Sequence, residues 1–180
     1  MTVTVPGAEL LGADDFVGRL EPAVERDVVR TGSRAFVVDP DSSDTDEFAR
    51  RYHVPLSCCA NCLVTASGKG ENRRYAMALV PATLRLVTKV IQREMGGKTS
   101  FARPEAAAAV TGMEFGAITP MGRPADVPVF IADELLAQEW VIVGGGVRDV
   151  KIAVSPRAIV EHLGARILPG LAVSPADSAT

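Results

Sequence analysis

Two strand-like segments joined by a short glycine-containing turn limit the folds open to this chain. Residues 61–66 and 74–79 are mostly apolar, and Gly68-Lys69-Gly70 lies between them. In the second segment Tyr75 and Met77 alternate with smaller or polar residues, which predicts a strand with one buried face. A connection this short joins antiparallel strands. The chain is therefore not predicted to form a doubly wound parallel sheet.

Helical and strand-like segments alternate along the rest of the chain. From apolar spacing, capping residues and glycine stops, helices are predicted over residues 14–31, 44–53, 82–95, 104–111 and 155–163. Further strands are predicted over residues 34–38, 98–102, 127–131, 140–143 and 150–154. This order predicts an α/β fold of the α+β type, with a mixed, largely antiparallel sheet and helices packed around it. We expect one domain over residues 1–168 and a disordered tail over residues 169–180.

Charge and hydropathy restrict the partners. The net charge of −3 argues against duplex DNA as the main ligand, although a nucleic acid held only by its end stays open. No run of the sequence approaches 18 apolar residues, so no membrane span is predicted. The first residues include Glu9, Asp14 and Asp15 and no basic cluster, which argues against a secretory signal. We therefore expect a cytoplasmic protein.

The glycine-rich loop from Gly112 to Gly122 is the first candidate site. Glycine lets the backbone approach a ligand closely, and Thr119-Pro120 fixes a turn that leaves neighbouring N–H groups free. Such a loop can bind a carbonyl, an ester or a phosphate through main-chain donors. The alternative is a plain irregular connection, because loop glycines often serve only to form turns.

Three cysteines, Cys58, Cys59 and Cys62, fall within one short segment. A C-x-x-C spacing occurs in redox pairs and in halves of zinc sites, but a second pair is missing and the two histidines, His53 and His162, lie far apart. The segment also reads as a strand, not as the helix start that lowers a thiolate pKa. Buried structural cysteines are the favoured interpretation, with redox and metal roles as alternatives. No metal and no cofactor are predicted.

Several short motifs follow one another in an order that resembles a known family. They are Phe101-Ala102-Arg103-Pro104-Glu105, residues 116–122, Val143-Gly144-Gly145-Gly146 and Val154-Ser155-Pro156. From residue 14 to residue 167 the series resembles the YbaK/ProX family of aminoacyl-tRNA deacylases, which includes the editing domain associated with prolyl-tRNA synthetase. The resemblance implies a mixed α/β domain with a pseudo-barrel sheet that clears mischarged amino acids from tRNA by ester hydrolysis.

The resemblance also assigns roles to residues. It implies Asn61 and Gly116 as catalytic positions, and as substrate-binding positions Ala117, Ile118, Thr119, Pro120, Met121, Gly122, Gly144, Gly145, Gly146 and Ser155. Asn61 stands where family members commonly have a lysine central to catalysis, so weakened hydrolysis is expected. Lys69 and Lys151 are possible replacements, and no spacing rule favours either.

The sequence thus predicts a stand-alone deacylase that removes a small mischarged amino acid from tRNA. Its expected partner is a mischarged tRNA held by its 3′ end, with an aminoacyl-tRNA synthetase as a further candidate. The alternative is a non-catalytic family member that binds an aminoacyl group, a nucleotide or a protein. A thiol redox or metal-binding protein built on Cys59 and Cys62 is a third reading.

Overall fold

A computed structural model describes residues 3–16 and 18–176 of the chain. Within these residues the strands are β1 (Glu9–Leu10), β2 (Arg34–Val37), β3 (Ala60–Ser67), β4 (Arg74–Pro81), β5 (Arg85–Leu86), β6 (Thr99–Phe101), β7 (Val129–Ala132), β8 (Val141–Gly144), β9 (Val150–Val154), β10 (Arg166–Leu168) and β11 (Ala172–Val173). The α-helices of the same residues are α1 (Pro22–Thr31), α2 (Thr45–Arg51), α3 (Thr88–Met95), α4 (Pro104–Thr111) and α5 (Pro156–Leu163).

The strands form two main sheets and one small one. The five-stranded sheet has the order β10-β7-β4-β3-β6, the four-stranded sheet has the order β1-β2-β9-β8, and β11 pairs with β5. Strand β7 pairs in parallel with β4 and β10, whereas the other pairs of named strands in the described residues are antiparallel. The mixed, largely antiparallel α/β fold is therefore confirmed.

The predicted pseudo-barrel is an open arrangement. The two main sheets are separate hydrogen-bonded units in the described residues, and one isolated parallel bridge between Cys59 and Ile142 connects them. Because β8 and β6 end their sheets without pairing to each other, the strands do not close into a barrel. The opening beside β3 and β8 leaves room for a cleft.

The β3–β4 hairpin has the predicted antiparallel pairing, from Ala60 opposite Pro81 to Ser67 opposite Arg74. Strand β4 is buried on both faces, however, and not on one. Met77 and Leu79 lie in the main core, while Ala76 and Ala78 pack in a second cluster beneath α3 and β11. The expected solvent face is covered because these two elements pack against it.

Two predicted boundaries were wrong. The first helix was expected from residue 14, but α1 begins at Pro22, since proline is favoured in the first helical turn. The third was expected from residue 82, but α3 begins at Thr88, because Arg85–Leu86 forms β5 and pairs with β11. A pairing partner far along the chain overrides local helical spacing.

The predicted disordered tail is also wrong over its first part. Ala172–Val173 pairs with β5, and Leu171 is fully buried. The backbone N–H of Val87 donates to the Leu171 carbonyl at 2.8 Å. Residues 177–180 of the predicted tail lie outside the described residues.

Candidate active site

A cleft of about 460 Å³ opens where the two main sheets approach each other. Its walls come from β3, from the end of β8, from β9, from the first turn of α2 and from the segment that joins β6 to α4. Most lining residues are apolar. The polar side chains in the lining are Asp44, Thr45, Asn61, Lys151 and the thiols of Cys59 and Cys62.

Lys151 brings a buried amine to this cleft. It lies on β9 opposite Gly144 of β8, and only 4% of the residue is exposed. Its Nζ donates to the Ser43 carbonyl at 2.5 Å and lies 5.5 Å from the centre of the Phe48 ring. An ammonium has three N–H donors, and in the part of the chain that is described the other two have no acceptor.

Burial lowers the pKa of Lys151 to about 8, because a buried amine is less well solvated when charged. The negative charge of Asp44 partly offsets this effect, and the positive charge of Arg148 adds to it. The amine is therefore still mostly protonated at neutral pH. A group of this kind in a cleft is a candidate functional residue.

Asn61 lies in the lining on β3, where the resemblance implies a lysine. Thr45 at the start of α2 donates its hydroxyl to Asn61 Oδ1 at 2.8 Å. Because Thr45 donates this bond, the amide atom that faces it is the oxygen of Asn61. The NH₂ group of Asn61 has no acceptor among the described residues. This wall of the cleft thus offers neutral donors.

The glycine-rich loop contributes only its first part to the cleft. Gly116 and Ile118 belong to the lining, and within residues 3–16 and 18–176 their backbone N–H groups find no acceptor. Ala117 offers the cleft no free backbone group, since its carbonyl accepts from the Gly146 N–H at 2.8 Å and its N–H donates to the Glu114 carbonyl at 3.0 Å. Two free main-chain donors therefore border the space.

The rest of the predicted loop site lies behind the cleft. Met121 is fully buried in the main core, and the Gly122 N–H donates to Asp27 Oδ2 at 2.8 Å. Among the residues assigned by resemblance, those outside the lining are Ala117, Thr119, Pro120, Met121, Gly122, Gly145, Gly146 and Ser155. Those inside it are Asn61, Gly116, Ile118 and Gly144.

Gly144 allows the loop to lie against the end of β8. A Cβ at this position would be 2.2 Å from the Ala117 carbonyl oxygen and 2.8 Å from that of Ile118. Both neighbours are backbone atoms, so no side-chain rotation could relieve the overlap. The glycine therefore places the main chain of Ala117 and Ile118 beside the cleft without contributing a polar group of its own.

Arg148 braces the rim of the cleft next to Gly116. Its Nη2 donates to the Pro40 carbonyl at 3.1 Å, its backbone N–H donates to Glu114 Oε2 at 2.8 Å, and its Nη1 lies 3.8 Å from Asp44 Oδ1. A Cβ on Gly116 would be 2.7 Å from Nη1. The loop, α2 and the turn before β9 are thus tied together at this rim.

The cysteines are poorly suited to thiolate chemistry. Burial raises the pKa of Cys59 and of Cys62 to about 12, so both are neutral thiols at physiological pH. Among the described residues there is no group of three or more His, Cys, Asp or Glu side chains placed to hold a metal ion. These observations favour the structural reading over the redox reading.

Sequence reasoning named Lys151 only as one of two possible replacements for the family lysine, and it missed Thr45 and Phe48 beside it. Lys151 alternates with Val150 and Ile152, which normally marks an outward-facing lysine on a half-exposed strand. Every residue of β9 is buried, and the face with Lys151 and Ala153 is covered by Phe48 of α2, which is distant in sequence. The only local signal was a single lysine within an otherwise apolar strand.

Comparisons with known proteins agree with this architecture. Residues 39–161 match the family model described as the aminoacyl-tRNA editing domain. No curated protein sequence matches the chain significantly.

No helix in the described residues is long and apolar enough to span a membrane.

Among solved structures, the hypothetical protein APE2540 superimposes with a TM-score of 0.75 at 22% identity, covering 84% of this chain and 99% of its own. A proposed trans-editing enzyme for prolyl tRNA synthetase superimposes with a TM-score of 0.69 at 21% identity, covering 83% of this chain and 97% of its own. At these identities the likeness shows the fold.

Proposed function

Since the chain belongs to the aminoacyl-tRNA editing domain family, we propose that it is a stand-alone deacylase acting in trans on mischarged tRNA. The reaction is hydrolysis of the ester that links a small amino acid to the terminal ribose. The observation that carries the proposal is the buried ammonium of Lys151 in a cleft whose lining includes Gly116 and Ile118, two residues with unbonded main-chain N–H groups among the described residues. Together these donors suit an ester carbonyl that becomes negatively charged during attack.

The N–H groups of Gly116 and Ile118 would polarise the ester carbonyl. Lys151 would stabilise the developing oxyanion or hold a ribose hydroxyl with its two remaining N–H donors. Water then adds to the carbonyl carbon, the bond to the ribose oxygen breaks, and that oxygen takes up a proton. The products are the free amino acid and a tRNA with an intact terminal hydroxyl.

Asn61 is assigned a positioning role in this proposal. Its NH₂ group would donate from β3 to the terminal ribose or to the aminoacyl group, whereas the Lys151 amine would donate from β9. A neutral amide supplies less stabilisation than an ammonium at the same place, so a rate below that of family members with lysine there is expected.

The apolar majority of the lining supports a small, uncharged side chain on the amino acid. The substrate in this proposal is a tRNA bound by its 3′ end. A synthetase that releases the mischarged tRNA is the proposed protein partner, and the cytoplasm is the proposed place of action. We further propose that the chain acts as one domain, which extends past residue 168 to the strand Ala172–Val173.

A non-catalytic role is the alternative, and Asn61 is the observation that favours it. A panel of tRNAs, each charged with a correct or an incorrect small amino acid, separates the two. Release of amino acid above the buffer rate, selective for some mischarged members, is expected for the deacylase. Binding of charged tRNA without release for every member would support the alternative and contradict the proposal.

A further inference from the structure

A second, smaller cavity of about 260 Å³ adjoins the cleft. It lies along the β3–β4 hairpin, β6 and the start of α4. Phe101 and Ala102 belong to the lining of both cavities, so the two spaces meet at these residues. We call the second cavity the basic groove, because four of its lining side chains are Lys69, Arg73, Lys98 and Arg103.

The charge of the basic groove is unusual for this chain. The protein as a whole carries a net charge of −3, yet the lining of the groove contains no Asp or Glu. None of the four cations has a carboxylate partner among the described residues. A local excess of unpaired cations on an acidic protein is a site for a polyanion.

The fold fixes the backbone segments that carry Lys69 and Lys98 next to each other. The Gly68 N–H donates to the Lys98 carbonyl at 3.2 Å, which joins the hairpin turn to the segment before β6. Ser67 and Thr99 share a buried hydrogen bond of 2.6 Å between their hydroxyls. Lys69 and Lys98 are therefore carried on two segments that are bonded to each other.

One exposed aromatic side chain lies at the junction of the two cavities, and a second lines the cleft alone. Phe101 is 55% exposed and Phe115, at the cleft, is 59% exposed. Aromatics make up 5% of the sequence, so two exposed phenylalanines beside one opening are notable. Nucleobases stack on exposed aromatic rings irrespective of sequence, while neighbouring cations follow the phosphates.

From this arrangement we infer that the basic groove binds the unpaired 3′ nucleotides of an RNA, with phosphates on its four cations and a base stacked on Phe101. The inference rests on the proposed function, because it gives the path of the chain that leads to an ester in the cleft. The ligand class is single-stranded RNA backbone. Binding of duplex RNA without unpaired nucleotides is a separate outcome of the test.

The probe is a deacylated RNA stem-loop with four unpaired 3′ nucleotides and a 5′ fluorophore, measured by anisotropy over a range of salt concentrations. Lys69→Gln/Lys98→Gln should weaken binding about tenfold or more and reduce the slope of log K against log salt by about 1.4. The matched control is Arg26→Gln/Arg30→Gln on α1, which removes the same charge from residues that line neither cavity. The control should change binding by less than about twofold.

Phe101→Leu tests the stacking part, since leucine keeps an apolar contact without an aromatic face. We expect an affinity loss of at least about fivefold with an unchanged salt slope. A stem-loop without the unpaired nucleotides should bind weakly and show no dependence on Lys69 or Lys98. Equal binding of that blunt RNA, or equal losses in the groove and control variants, would overturn the inference.

The result is separable from the proposed function because the probe carries no ester. If the tRNA panel is deacylated but the groove variants bind the probe normally, the inference fails and the deacylase stands. If nothing is deacylated but the groove variants lose binding, the inference stands and the deacylase fails.

Discussion

The wall of the cleft formed by β3 and the wall formed by β9 differ in how each presents a polar group. On β3 the group is the amide of Asn61, neutral and held by the hydroxyl of Thr45. On β9 it is the amine of Lys151, buried and held by the carbonyl of Ser43. Of these two walls only β9 carries a charge, whereas the family resemblance places the charge on β3.

This difference shows that a cleft can gain a cation from a strand far away in sequence. Transition-state stabilisation depends on where the charge lies in space, so the strand that carries it is of secondary importance. Burial of an ammonium costs stability, and the low pKa of Lys151 reflects that cost. A purely structural amine bonded to Ser43 would have the same burial, so experiments must separate the two roles.

Removal of the charge on β9 has the largest expected effect. Lys151→Met keeps the length of the side chain and removes the ammonium, and deacylation should fall about 10²- to 10³-fold. The melting temperature should stay the same or rise, because a buried charge is lost. The measurement is the single-turnover rate on the best mischarged tRNA, with thermal unfolding alongside.

Lys89→Met is the control for Lys151→Met, since Lys89 is exposed on α3 and lines none of the described cavities. Its rate should match that of the unmodified protein. An active, folded Lys151→Met protein would mean that the amine is structural and that the two walls are equivalent in function.

Transfer of the charge between the walls is the second test. Asn61→Lys placed in the Lys151→Met protein should raise the deacylation rate about tenfold above that of Lys151→Met, because β3 then supplies an ammonium to the cleft. In the otherwise unmodified protein the same change should give a smaller gain, since two ammoniums in one cleft disfavour each other's charged form. Failure to recover any activity, in a folded double variant, would argue that only the β9 position is productive.

The pH dependence gives a third test. If the charged amine acts, the rate that depends on Lys151 should fall about fourfold between pH 7 and pH 8.5, as the ammonium is lost through a pKa near 8. That rate is the difference between the unmodified protein and Lys151→Met at each pH. An increase over this range would instead indicate that the neutral amine acts as a base.

The contribution of Lys151 to the free energy of unfolding should rise with pH, whereas its contribution to the rate should fall. The folded-state pKa of Lys151 lies below its ordinary value of 10.5, so between about pH 8 and pH 10.5 the unfolded chain binds more protons than the folded one. Stability from this group therefore rises with pH over that window. Urea unfolding at several pH values, compared with Lys151→Met, measures the contribution.

Much of the fold could be predicted because its signals are local. Glycines at positions 32, 112 and 164 end α1, α4 and α5 in the left-handed conformation, and the β3–β4 hairpin follows from a short turn between apolar runs. The pairing of β5 with β11 could not be predicted, since it joins residues near position 85 to residues near position 173. Nothing in either two-residue strand indicates its partner.

The candidate site was only partly predictable for the same reason. Asn61, Gly116, Ile118 and Gly144 could be placed through motif order, and all four line the cleft. The burial of Lys151 requires α2 and Ser43 to cover β9, and the sequence contains no local signal for that packing. The residues from Thr119 to Gly122 share the motif but turn into the core, so a motif alone does not distinguish the lining from its support.

The smallest expected effect concerns the neutral wall. Thr45→Val keeps the shape of the side chain and removes the hydroxyl that holds Asn61 Oδ1. Loss of one such hydrogen bond is worth about 1 kcal/mol, so we expect about a fivefold loss in rate. Thr45→Ser, which keeps the donor, should stay within about twofold of the unmodified protein. If Thr45→Val and Thr45→Ser reduce the rate equally, the orientation of the Asn61 amide is irrelevant to catalysis. Of the two polar groups, only Lys151 on β9 would then contribute to the rate.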